Sequence, residues 1–267
     1  CVRHFPMWIK LLTLLLVPLV LFQYNSHSSE IKEQTNKESM TGLNAVRIAS
    51  KTQPAKQAMI IFHGLGDSGS GWSFLAELLQ RDPAFSQTRF VFPNAPTLNI
   101  VANGNYPMPA WFNIYDWGGK GTRTDVDGFL KSLDVIKNYV QEQIESGIAP
   151  ENIIVGGFSQ GAALALASSV TLPVKIGGFI SLSGFSVANE SIANLNKNMN
   201  LDTPIFHGHG DQDPIISLQR GLQAKEFYTK ECGVKNYTMQ VYQGMAHSTC
   251  PEEVRDFVSF IKKAYNI

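Results

Sequence analysis

Ser159 lies within Gly157-Phe158-Ser159-Gln160-Gly161, between a β-branched apolar run and an alanine-rich one. A serine hydroxyl is a weak nucleophile unless a base lies within hydrogen-bond reach and a third group orients that base. The G-x-S-x-G pattern carries chemistry only where a strand passes into a helix. There the serine takes a strained turn, the glycines remove side chains that would collide, and the first helical N–H groups face the hydroxyl. Serines at such elbows find their acid and then their base later in the chain. His207 and His209 follow in "HGHGDQDP", with Asp211 and Asp213, and His247 follows in "GMAHST". The simplest arrangement takes the acid from the first of these loops and the base, His247, from the second. Spacing alone leaves Asp211 and Asp213 in competition as the acid, the other being free to satisfy loop amides. His209 is expected to be structural, at a strand end.

Two other chemistries compete. "HGLGDSG" holds Gly64-x-Gly66-x-x-Gly69 after a strand, the outline of a dinucleotide-binding turn. The acid that would bind the ribose is missing, because the next strand ends in "VFPNAP". The helix is also expected to start several residues beyond Gly69 rather than directly at it. The loop is better suited to turning sharply and aiming backbone N–H groups into a cleft, as an oxyanion site requires, with His63 shaping it. A plain strand-to-helix turn would look the same. The His-x-His and Asp-x-Asp spacings of "HGHGDQD" are those of a metal site, but no further His or Cys pair completes a ligand set. No cofactor and no metal is expected.

The elements that must position these residues alternate from about residue 45, which predicts an α/β fold with a mainly parallel sheet. Strands are expected at Ala58–Gly64, Arg89–Pro96, within "NIIVGGF", "KIGGFISLSG" and "TPIFHGHG", and at "YTMQVYQG". Helices are expected at Gly71–Gln80 (face Phe74, Leu75, Leu78, Leu79), Asp125–Gly147, "GAALALASS", "LQRGLQAKEFYTKEC" and "PEEVRDFVSFIKKAY". Between them, Thr97–Thr124 reads as a long turn-rich loop, and such loops are more often functional than idle.

The chain has 267 residues and zero formal net charge, which leaves no electrostatic footprint for nucleic acid. Residues 1–29 differ from the rest. "WIKLLTLLLVPLVLF" (Trp8–Phe22) follows Arg3, and no Asp, Glu, Lys or Arg occurs from Leu11 to Ser29, the pattern of a signal peptide or a membrane anchor. Residues 30–44 are expected to be a linker and 45–267 the folded domain. Three cysteines make no disulfide framework, although export would permit a Cys232–Cys250 bridge.

Six blocks, "FHGLGDSGSGW", "FPNAP", "MPAWFNI", "GGFSQGAALAL", "HGHGDQDP" and "GMAHS", occur in an order that resembles the acyl-protein thioesterase and carboxylesterase family of small α/β-hydrolases. The resemblance implies a single α/β-hydrolase domain without a large lid, acting on acyl esters or thioesters, with lysophospholipase-like members. It implies Ser159 as nucleophile, His247 as base and Asp213, directly before Pro214, as acid. The backbone N–H groups of Leu65 and Gln160 would form the oxyanion hole. It also makes Trp111 a wall of the acyl pocket, with ordinary core packing as the other account, and Leu98–Met108 the border of the acyl groove. The sequence departs from the family pattern after "LSG", where a Leu-Pro is absent, at Ser217, and in the N-terminal apolar segment. That segment implies an exported or membrane-associated protein where the family is mostly cytoplasmic. Its substrates would be small acyl esters, lipids or acylated proteins, and a non-catalytic binding protein of the same fold is the contrasting possibility.

Overall fold

The computed structural model describes residues 44–117 and 123–267, so the expected signal or anchor segment and nearly all of the expected linker lie outside them. Asn44 is already tied into the fold: its carbonyl accepts hydrogen bonds from Asn94 N (2.8 Å) and from the Tyr139 hydroxyl (3.0 Å).

In chain order the elements are β1 (Ala45–Ile48), β2 (Gln57–Phe62), α1 (Gly69–Trp72), α2 (Phe74–Leu79), β3 (Thr88–Pro93), β4 (Thr97–Ile100) and β5 (Tyr106–Pro109). They continue with α3 (Val126–Glu145), β6 (Ile153–Phe158), α4 (Gln160–Thr171), β7 (Gly178–Leu182), α5 (Asn189–Asn194), β8 (Ile205–Gly210), α6 (Leu218–Glu226), β9 (Tyr237–Tyr242) and α7 (Pro251–Tyr265). Seven strands form one sheet in the order β1-β3-β2-β6-β7-β8-β9. Only the β1–β3 pair is antiparallel.

A sheet covered on both faces needs strands that are apolar throughout, which explains the unbroken "AMIIF" of β2. Its residues divide by parity: Ala58, Ile60 and Phe62 join the core under α3 and α4, whereas Met59 and Ile61 join the core under α1, α2 and α7. Helix α3 begins at the cap Asp125, whose carboxylate accepts from Gly128 N (3.0 Å), and Gly147 beyond its end adopts φ +92°. Helix α4 is buried nearly all round, which its small alanines permit. β6 thus ends at the sheet's centre, and α4 starts from that end.

The structure departs from the expected elements in several places. The helix expected at Gly71–Gln80 begins at Gly69, capped by Ser68, and is divided at Ser73. Its inward face is Trp72, Leu75, Ala76 and Leu79, at i, i+3, i+4 and i+7, while Phe74 is 42% and Leu78 38% exposed. Trp72 set that phase. Because α1 opens on Gly69 itself, the expected gap between the third glycine and the helix does not exist; the missing acid remains the argument against a dinucleotide turn. The long loop Thr97–Thr124 contains the β4–β5 hairpin, a separate two-stranded sheet pairing Leu98 with Met108. Its strands are too short to show alternation, and Pro107 and Pro109 are tolerated because both strands are edges. The helix expected through Cys232 changes at Phe227 into a π turn to Glu231. Cys232 and Cys250 are both free thiols, so the Cys232–Cys250 bridge does not form.

Glu253, in the first turn of α7, is fully buried, and among the described residues neither carboxylate oxygen meets a hydrogen-bond partner. A Cβ on Gly208 would fall 2.1 Å from its Oε1. Burial, with a smaller push from Asp256, raises its pKa from 4.5 to about 8. Below pH 4.5 the carboxyl is protonated in both folded and unfolded chains. Between there and about pH 8 only the unfolded chain ionises, so stability falls as pH rises, by on the order of 5 kcal/mol in full. Glu253→Gln removes that slope: its melting temperature relative to wild type should climb steadily from pH 5 to 8. A difference that stays constant would show that the buried carboxyl imposes no such cost.

Candidate active site

Ser159 occupies φ +53°, ψ −113°, a conformation that side-chain-bearing residues rarely adopt. The position is over-determined. Its N–H donates to Leu182 O on the neighbouring strand (2.9 Å), and its carbonyl accepts from Ala163 N (3.0 Å) in the first turn of α4. The flanking glycines have no room for a side chain. A Cβ on Gly157 would lie 2.3 Å from the Gly161 carbonyl carbon, and one on Gly161 would lie 2.1 Å from Phe62 O. The serine is left 8% exposed at the end of β6.

His247 Nε2 is 3.0 Å from Ser159 Oγ, and His247 Nδ1 is 2.7 Å from Asp213 Oδ2. Asp213 Oδ1 accepts from the backbone N–H of Ile215 (2.9 Å) and Ile216 (2.8 Å). Burial pushes the Asp213 carboxyl up. The hydrogen bond and charge of His247 and these two amides outweigh it, so the group stays below the ordinary carboxylate range and is ionised at neutral pH. As an anion it accepts from His247 Nδ1–H; in the neutral ring this tautomer leaves Nε2 bare and aimed at the serine hydroxyl. Asp211 does something else: its Oδ1 accepts from Gly244 N (2.7 Å), tying its turn to the loop that carries His247. Among the described residues no His, Cys, Asp and Glu cluster could hold a metal ion.

Residues 64–66 pass over the serine. A Cβ on Gly64 would lie 3.3 Å from Ser159 Cβ. Gly66, at φ +78°, donates its N–H to Pro109 O (2.8 Å) and so ties this loop to the β4–β5 hairpin. Among the described residues, neither the Leu65 nor the Gln160 N–H meets a protein acceptor. His63 braces the loop from below, donating from Nδ1 to Gly64 O (2.7 Å) and accepting at Nε2 from Ala95 N (3.1 Å). Burial lowers its pKa and keeps the ring neutral, as that donor-and-acceptor pattern requires.

Trp111 is 2% exposed. Its indole N–H donates to His63 O (2.8 Å), its carbonyl accepts from the Ser132 hydroxyl, and its N–H donates to Gln160 Oε1 (3.1 Å). It is a buried strut beneath the loop, packed edge-on against Phe62, so its packing in the core is plain. Leu98 and Met108 face each other across the hairpin, with Met108 Sδ 3.9 Å from a Cβ built on Gly66. Residues missed from sequence include Phe158, whose ring lies 4.7 Å from that of His247, and Trp72, 5.5 Å from Phe158. Phe158 stands at the variable position of the elbow pattern, which gave no reason to single it out.

A parallel sheet whose strand-to-helix serine turn faces a histidine and a carboxylate from later loops is the arrangement of the serine-dependent α/β-hydrolases. The family model described as phospholipase/carboxylesterase matches residues 43–265. The acyl-protein thioesterase 1 of Kluyveromyces lactis is 61% identical over 226 residues, covering 84% of this chain and 99% of that protein. The one from Saccharomyces cerevisiae is 55% identical, over 83% and 99%. The crystal structure of Arabidopsis thaliana SOBER1 superposes with a TM-score of 0.73 at 30% identity, covering 78% of this chain and 98% of that one. The chain belongs to the phospholipase/carboxylesterase family and is a hydrolase.

The Gln160 side chain also donates from Nε2 to Phe112 O (3.0 Å), so it clamps both ends of the 111–112 segment. Gln160→Ala leaves a buried N–H and a buried carbonyl unpaired and should cost about 2–4 kcal/mol of stability. Denaturant titration measures this; a loss below about 0.5 kcal/mol would mean the clamp is replaceable.

Proposed function

We propose that this chain hydrolyses acyl esters and thioesters through a Ser159-His247-Asp213 triad. The observation that carries the proposal is the pair of hydrogen bonds made by one imidazole, 3.0 Å to Ser159 Oγ and 2.7 Å to Asp213 Oδ2. His247 Nε2 takes the hydroxyl proton as Oγ attacks the acyl carbonyl carbon. The N–H groups of Leu65 and Gln160 stabilise the oxyanion. The tetrahedral species collapses, and the proton on His247 passes to the departing thiol or alcohol. Water, deprotonated by the same imidazole, then attacks the acyl-enzyme; as the second tetrahedral species collapses, His247 returns that proton to Ser159 Oγ and the acid is freed.

Relatives named acyl-protein thioesterase 1 support acylated proteins as substrates, and the family description supports carboxylic esters and phospholipids as well. The hairpin with Leu98 and Met108, bonded to the Gly66 turn, supports an acyl groove beside the serine, with Trp111 beneath it. Among the described residues no helix is long and apolar enough to cross a membrane. The apolar run Trp8–Phe22 supports membrane attachment or export through residues 1–29.

A serine-directed fluorophosphonate should label Ser159 of the full chain, and the adduct should vanish in His247→Ala. Ser159→Ala should lower turnover of a p-nitrophenyl acyl ester by about 10³-fold or more. Undiminished turnover in that variant would overturn the mechanism. Removal of residues 1–29 should release the protein from carbonate-washed membranes or block its secretion; unchanged fractionation would rule out a targeting role for the segment.

A further inference from the structure

Next to the Ser159-His247-Asp213 set lies a second group of buried polar rings. His207 and His209 stand two residues apart on β8, on one face of the strand, and neither is accessible to solvent. The Tyr237 hydroxyl, from β9, is 2.7 Å from His207 Nδ1. His207 Nε2 is 3.2 Å from His209 Nδ1, and His209 Nε2 is 2.8 Å from Ile216 O. Asp213 Oδ2 lies 3.8 Å from the same His209 nitrogen.

These contacts permit one placement of protons when both rings are neutral. A peptide carbonyl can only accept, so His209 Nε2 carries its hydrogen and His209 Nδ1 is bare. His207 must then donate from Nε2, which leaves its Nδ1 to accept the Tyr237 hydroxyl proton. Burial supports neutrality. It lowers the pKa of His209, and it pushes that of His207 down to about 3 with help from His209 and Lys225. Donation therefore runs in one sense, from Tyr237 through His207 and His209 to the Ile216 carbonyl. The same residue's N–H donates to Asp213 Oδ1. Helix α6 closes over the relay at Gly221, where a Cβ would fall 2.7 Å from His209 Nδ1.

We propose that Tyr237, His207 and His209 are positioning residues, which hold the Asp213–Ile216 turn by fixing the tautomer that His209 presents to it. The proposal rests on the triad reading above. Without the Tyr237 hydroxyl, His207 is free to carry its hydrogen on Nδ1, and His209 can follow. His209 would then turn a lone pair toward the Ile216 carbonyl and the Asp213 carboxylate, both of which repel it. The turn would shift, and with it the hydrogen bond that orients His247.

The test uses the full chain and a soluble p-nitrophenyl ester, with kcat counted per site titrated by fluorophosphonate. Tyr237→Phe removes one oxygen and keeps the ring, so it folds where harsher changes could fail. It should lower kcat by roughly 10-fold with KM essentially unchanged, and His207→Leu should do the same. His207→Gln should restore the rate, because its amide offers one acceptor to Tyr237 and one donor to His209. In an Asp213→Asn background, Tyr237→Phe should cost nothing further, since its route to the chemistry is already removed. Wild-type kcat in Tyr237→Phe, failure of His207→Gln to rescue, or the same loss in the Asp213→Asn background would overturn the relay. Full turnover by Asp213→Asn alone would instead overturn the triad reading, so the two failures are distinguishable.

Discussion

Everything at the site depends on how closely α4 approaches the sheet. The first turn of that helix lies against the end of β2, with Gly161 so near Phe62 O that even a methyl group is excluded. This contact forces the chain to reverse within one residue, and Ser159 absorbs the strain. The Leu182 carbonyl and the Ala163 amide hold the strained residue in place from two different elements. As the first residue of α4, Gln160 has an N–H without an intrahelical acceptor.

Around this elbow, several polar side chains are used more than once. The Asp213 carboxylate takes an imidazole on one oxygen and two amides on the other, so its charge is stabilised without an arginine or lysine. Asp211, two residues earlier, binds the loop of His247 rather than the histidine itself. Gln160 contributes its side chain to the 111–112 segment, while Trp111 braces His63, and His63 braces the glycine loop. The glycine loop at residues 64–66, the hairpin and the elbow are therefore one connected unit. This is why the fully buried Trp111 belongs to the account of the site although it meets almost no solvent.

Much of this was legible in the sequence. The elbow announced itself because two glycines, a serine and the change from β-branched to alanine-rich sequence coincide. His247 followed from its place between the last strand and the last helix. Spacing alone left Asp211 and Asp213 in competition, because two acids separated by one residue have the same access to a loop; the family resemblance pointed to Asp213, and it is Asp213 that lies 2.7 Å from His247. The β4–β5 hairpin was hidden by strands of four residues containing two prolines. The face of α1 and α2 was misread because Trp72 stands before the leucines, and leaving it out rotates the apolar stripe. The Tyr237–His207 contact could not be read without strand register: β8 and β9 pair His207 with Met239, which puts Tyr237 on the diagonal.

Ser159 and His247 are 88 residues apart in the chain, and the strands between them run outward to the β9 edge of the sheet. Synthesis therefore delivers Ser159 long before His247. Under the proposed triad, a ribosome-bound chain that has emerged only as far as α4 and β7 holds an ordinary alcohol at Ser159, without the imidazole that would activate it. On that mechanism, reactivity waits for the C-terminal strands to dock, a late event for contacts of such wide sequence separation. The order of strands across the sheet would thus keep the nascent polypeptide chemically inert until β9 and the loop after it are in place.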